Sequence, residues 1–136
     1  FDQEDKALFL GSPHFISDFA DATATEFRIY FKNNKIEKAE LQDSCYVKFR
    51  TEHDKEKRNW IDSDYMELQF EDSKIRLCQA ESNVISFFEQ PANDKQDFMK
   101  NESTAEELLL FISNNNELEK IEMKQNVDGK YTFEPN

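Results

Sequence analysis

The sequence predicts an all-β protein: a stack of antiparallel strand units that recurs about every 40 residues. Three observations carry that reading: period-two alternation of apolar residues, its return in the same register, and a composition rich in aromatics and poor in glycine. Phe27, Ile29 and Phe31 alternate with polar residues, Asn33 and Asn34 interrupt them, and Ile36, Ala39, Leu41, Cys45 and Phe49 follow. The series returns as Met66, Leu68 and Phe70, a break at Asp72 and Ser73, then Ile75, Cys78, Ala80, Val84 and Phe88. It returns again as Leu108, Leu110 and Ile112, a break over Asn114 to Asn116, then Leu118, Ile121, Met123, Val127 and Tyr131.

The spacing dictates the shape of one unit. Residues at i, i+2 and i+4 share one face of a strand, so Phe27, Ile29 and Phe31 point the same way. Asn and Asp tolerate the left-handed conformation that tight hairpins require, so the short polar breaks read as turns. A two-residue turn sets Phe31 opposite Ile36 and Phe70 opposite Ile75. Beyond those pairs the phase slips by one residue in every copy, from Ile36 to Ala39, Ile75 to Cys78 and Leu118 to Ile121. A slip of one would turn the apolar side chains to the solvent, so a bulge or corner is expected just after Ile36, Ile75 and Leu118.

Composition narrows the function. With 136 residues the chain can build one domain with a true core. Its 13 Phe supply bulky anchors, and 2 Gly with 3 Pro leave little slack for loops. A net charge of -12, from 29 acidic and 17 basic residues, argues against a nucleic-acid backbone or a bare anionic membrane as partner. No apolar run approaches the roughly 20 residues of a membrane helix. Phe1 is not an initiator Met, so a signal peptide or anchor upstream is compatible with the sequence. Cys45 and Cys78 fall in apolar columns, which suits small buried core residues; a disulfide between neighbouring units is the other reading.

Taken in order, the acidic start to Lys6 is expected to fray, and residues 7–21 read as a partial repeat. Within it, Phe15 and Phe19 match Cys45 and Phe49 of a unit whose beginning is cut short. Full repeats then cover residues 22–60, 61–100 and 101–136, so residues 1–136 form a single domain. Thr51 to Asn59 is a mixed-charge segment expected at a hairpin tip. Gln90 to Ser103 is the longest interruption and is expected to be a loop. Ser103 to Glu106 has the form of a capping box, which favours a helical turn over Glu102 to Glu107. Tyr131 and Phe133 close the last strand at an edge.

No catalytic constellation is present. His14 and His53 are the only histidines, neither stands at a metal-ligand spacing, and no glycine-rich loop could hold a phosphate. Asp62 and Asp64 could touch a cation, but Thr23 and Thr25 occupy the same columns one repeat earlier. The expected protein is not an enzyme and needs no cofactor.

The units read strand, Asn or Asp break, Lys-Ile-x-x-Ala or Lys-Ile-x-x-Cys, then a strand opening at Cys45, Val84 or Val127. This pattern resembles the OstA-like repeats of the LptA family of lipopolysaccharide transport proteins. Where that family has a Gly-Asn-Val-like triplet, this chain has Asp43-Ser44-Cys45, Ser82-Asn83-Val84 and Gln125-Asn126-Val127. The resemblance implies an antiparallel β-jellyroll in the periplasm, an apolar interior that carries a lipid or glycolipid, and head-to-tail stacking on similar jellyrolls by edge-strand pairing. The interior residues it implies are Phe27, Ile29, Phe31, Ile36, Met66, Leu68, Phe70, Ile75, Leu108, Leu110, Ile112 and Leu118. Two other roles fit the same pattern: an LptC-like docking platform, and a β-repeat adaptor that binds protein without lipid.

Overall fold

The computed structural model describes residues 4–50, 59–90, 98–115 and 117–134. These residues hold ten strands and no helix: β1 (Glu4–Leu10), β2 (His14–Ile16), β3 (Ala20–Thr23), β4 (Glu26–Lys32), β5 (Lys35–Phe49), β6 (Asn59–Glu71), β7 (Lys74–Gln90), β8 (Phe98–Ile112), β9 (Leu118–Lys124) and β10 (Asp128–Glu134). All pairings are antiparallel. Sequential strands are neighbours almost throughout, as short hairpin connections require.

The turns use the chemistry the sequence offers. Asn33 and Asn34 have φ of 51° and 65°, and Asp72 and Ser73 have 52° and 65°, the paired left-handed residues of a type I′ hairpin. Phe31 pairs with Ile36, and Phe70 with Ile75. Immediately beyond, the register shifts at Tyr30/Phe31, Gln69/Phe70 and Phe111/Ile112. One extra residue, Glu37, Arg76 or Glu119, is absorbed there in each unit, and the apolar series stays on one face.

A second irregularity folds the sheet. Asp43–Ser44, Ser82–Asn83 and Gln125–Asn126 are further pairs with positive φ, and Gly11–Ser12 continues the line at the start of the chain. Between them Thr25 donates its amide to the carbonyls of Gln42 and Asp43, at 3.2 and 2.9 Å, and the Glu106 amide reaches the Gln125 carbonyl at 3.0 Å. The corners lie side by side, so every long strand bends along one line. The first layer contains β1, β4, the hairpin-side halves of β5 to β8, and β9. The second contains β2, β3, the opposite halves of β5 to β8, and β10. The two layers face one another: Phe15 on β2, in the second layer, meets edge-on the ring of Phe70 on the hairpin-side half of β6, in the first, with centroids 6.0 Å apart. The result is an antiparallel, β-jellyroll-like fold with one core between its layers.

Four local expectations are corrected. Glu4 to Lys6 do not fray, because β1 pairs with β4 along its whole length, from Glu4 with Lys32 to Leu10 with Glu26. Residues 98–103 are strand, not loop, and Glu102 to Glu107 form no helical turn. There Ser103 pairs with Ser86 on one side and Gly129 on the other, and those ladders outweigh a local capping signal. In the third copy Ile121 and Val127 are exposed: Ile121 is on β9, the last strand of its layer among the described residues, and Val127 follows the corner that ends it. The mixed-charge segment 51–58 and residues 91–97 lie outside the described residues.

Candidate functional site

The inner face of the first layer is a set of cross-strand rows. One runs Phe9, Phe27, Leu41, Met66, Ala80, Leu108, Met123 from β1 to β9. The next runs Ala7, Ile29, Ala39, Leu68, Cys78, Leu110, Ile121 over the same strands. Every member is apolar. Nearest the hairpins stand the pairs Phe31 with Ile36, Phe70 with Ile75, and Ile112 with Leu118.

The twelve interior residues expected from sequence therefore share one face. Phe27, Met66, Leu68, Ile75, Leu108, Leu110 and Ile112 are buried; Ile29, Phe70 and Leu118 are half-buried against that core. Phe31 and Ile36 are half-buried at the hairpin end of β4 and β5. The centre of each row is closed; Phe9 at one end of the first row and Ile121 at the opposite end of the second are 45% and 38% exposed, while Met123 and Ala7 at the other ends are half-buried.

Sequence reasoning missed the second wall. Its principal inner row is Phe15, Ala22, Val47, Ile61, Ser86, Ser103, Gly129, apolar over β2 to β6 and small or hydroxylated over β7 to β10. The period of two that resumes after each corner is the signal for it: Cys45, Val47 and Phe49 are all fully buried.

The polar chemistry is structural. Both cysteines are free thiols, which settles against a disulfide between them. Burial, reinforced by Asp43, pushes the Cys45 thiol up to about 12, and burial also raises Cys78, so neither is a nucleophile near neutral pH. The Cys45 thiol donates to the Leu41 carbonyl at 3.1 Å. On the outer face Tyr65 donates to Glu40 Oε2 at 2.8 Å; a hydrogen bond from Tyr30 to the same carboxylate lowers its pKa. Asp64 accepts from Asn83 Nδ2 at 2.7 Å, and Asp62 titrates higher than usual because it is partly desolvated and lies near Asp64. Among the described residues no three His, Cys, Asp or Glu side chains gather to hold a metal.

The outer face of the second layer carries an aromatic run, with Tyr46 against Trp60 and Trp60 stacked on Phe87 at 6.0 Å and 9°. A groove of about 410 Å³ opens beside it, lined by Trp60, Ile85, Phe87 and Glu102 and also by Ser86, Ser103 and Gly129. Lys48 and Lys100 already lie over the Tyr46 and Phe87 rings, each 5.7 Å from the centroid.

Fold and site thus define a two-layer β module whose apolar interior is closed at its middle and, among the described residues, carries no cap at either end. No family model, curated protein or solved structure matches the chain. Among the described residues no helix is long and apolar enough to cross a membrane.

Proposed function

We propose that this chain is a periplasmic lipid-binding and transfer module of the LptA type, which shelters the acyl chains of lipopolysaccharide or another glycolipid between its two layers. The observation that carries the reading is the pair of uninterrupted apolar rows from β1 to β9, whose end members Phe9 and Ile121 stay exposed. A self-contained core would be capped with polar residues at its last strands; these rows continue apolar to the edge. Among the described residues each end also presents strands with one side unpaired, β1 and β2 at one and β9 and β10 at the other. Such edges take up another chain by main-chain hydrogen bonding. Because the two ends differ, the contact is head-to-tail and extends the interior into the next jellyroll.

Native mass spectrometry of the protein incubated with lipopolysaccharide tests the cargo, and light scattering at rising protein concentration tests the assembly. A retained lipid mass together with open-ended association supports the reading. The net charge of -12 opposes association, so added salt should strengthen it. Association without any retained lipid would leave the protein adaptor instead.

A further inference from the structure

The principal inner row of the second layer changes character halfway across. Phe15, Ala22, Val47 and Ile61 give way to Ser86, Ser103 and Gly129 on β7, β8 and β10. These three are direct cross-strand partners, so they form one line inward from the open C-terminal edge. Gly129 is exposed, Ser103 is 6% exposed and Ser86 2%. A side chain at position 129 would put its Cβ 2.6 Å from Ser103 Oγ, so only glycine leaves that hydroxyl in place at the edge.

The hydroxyls differ in what they bind. Ser103 donates to Asn101 Oδ1 at 2.5 Å, and Ser63, nearer the corner, donates to the Tyr65 carbonyl at 2.8 Å. Ser86 Oγ is buried and has no hydrogen-bond partner among the described residues. Alternation places it on the inner face, because Val84 and Phe88 on either side of it are core while Ile85 is exposed. Burying a hydroxyl with no partner is unfavourable, and alanine would fill the same row at no such cost.

We infer that Ser86, reached past Ser103 and Gly129 from the β10 edge, is a polar station in the apolar interior that donates a hydrogen bond to an acyl carbonyl oxygen of the bound lipid. This rests on the lipid-carrying reading and adds to it the orientation of the cargo. The carbonyl that joins acyl chain to headgroup is the one strong acceptor of an acyl lipid that enters an apolar space with the chain. A serine hydroxyl one strand in from Ser103 meets it while the hydrocarbon lies against the apolar rows. The headgroup then projects at the β9–β10 end, and the chains run toward β1 and β2.

The test compares two probes on the full chain, 1-lauroylglycerol and its ether analogue 1-O-dodecylglycerol, which have the same chain length and differ by the carbonyl. The wild type should bind the ester more tightly than the ether, and Ser86→Ala should weaken the ester about two- to ten-fold while leaving the ether unchanged. Ser86→Ala should also melt no lower than wild type without ligand, since it removes an unpartnered hydroxyl. Ser86→Cys, which keeps a weak donor of similar size, should fall between the two. Equal binding of both probes by the wild type, equal losses for both in Ser86→Ala, or a lower melting temperature of that variant would each overturn the inference while the lipid reading stands. A wild type that binds neither probe overturns both.

Discussion

Leu68 and Leu118 are the same residue type at the closed middle and the open end of one interior, so truncating each measures how far the core is shut. Leu68 is 1% exposed and is flanked across the sheet by Ala39 and Cys78, which are too small to move into a hole. Removing its terminal carbons forfeits about 2 kcal/mol of transfer free energy. The unfilled cavity raises the cost of Leu68→Ala to about 3–4 kcal/mol, a large part of the 5–15 kcal/mol typical of a domain. Leu118 is half-buried on β9, whose far side has no neighbour among the described residues, so water and small shifts can fill the space. Leu118→Ala should therefore cost about 1 kcal/mol in dilute solution. Urea unfolding followed by circular dichroism reads both. If copies stack through this end, the cost of Leu118→Ala should grow with protein concentration while that of Leu68→Ala does not. Equal costs for the two variants in dilute solution would refute the distinction between a shut middle and open ends.

Three further outcomes follow from particular side chains. Ser73, at φ 65° in the β6–β7 turn, pays the left-handed penalty without a local amide, so Ser73→Gly should raise stability by about 0.5–1 kcal/mol, read as a higher urea midpoint. Glu40 titrates below its ordinary value of 4.5 because Tyr30 and Tyr65 hydrogen-bond it. Its contribution is therefore present above pH 4.5 and is lost as pH falls through the lower folded value; Glu40→Gln should cost about 1 kcal/mol at pH 7, and its deficit should vanish in acid. Cys45 and Cys78, buried with raised pKa values, should resist a thiol reagent at pH 8 in the native protein and react once urea unfolds it; rapid native labelling of both would contradict the closed interior.

The strands and their hairpins were legible because both depend on short-range pattern. Alternation fixes a face, Asn33–Asn34 and Asp72–Ser73 supply the positive φ, and the slip after Ile36 or Ile75 can be absorbed only by a bulge. What was not legible depends on neighbours distant in sequence. Ser103 to Glu106 has the local form of a helix start and becomes strand because Ser86 and Gly129 lie on either side of Ser103. Likewise Glu4 to Leu10 carries little apolar alternation of its own and is strand because β4 is there to pair with. Twelve interior positions came from the first layer alone, since the sequence pattern does not say that the chain beyond each corner turns back over them. Ser86 is inside only through its register between Ile61 and Ser103, which its residue type does not signal.

The corner line also limits what can cap this fold. Each end of the molecule is one long strand broken in two: Gly11–Ser12 separates β1 from β2, and Gln125–Asn126 separates β9 from β10. The halves fall in different layers, so among the described residues each end shows two free edges at once, joined at the corner. A single extended peptide could satisfy one edge and would leave the other unpaired. It would also leave the inner rows uncovered, because Phe9 and Ile121 face the space between layers and not the rim of either one. A partner that covers both edges and these side chains must bring two strands bent at a matching corner, with apolar residues on the inside of the bend. Under the proposed head-to-tail assembly, a second two-layer sheet of the same kind would meet this requirement, where a linear motif would not.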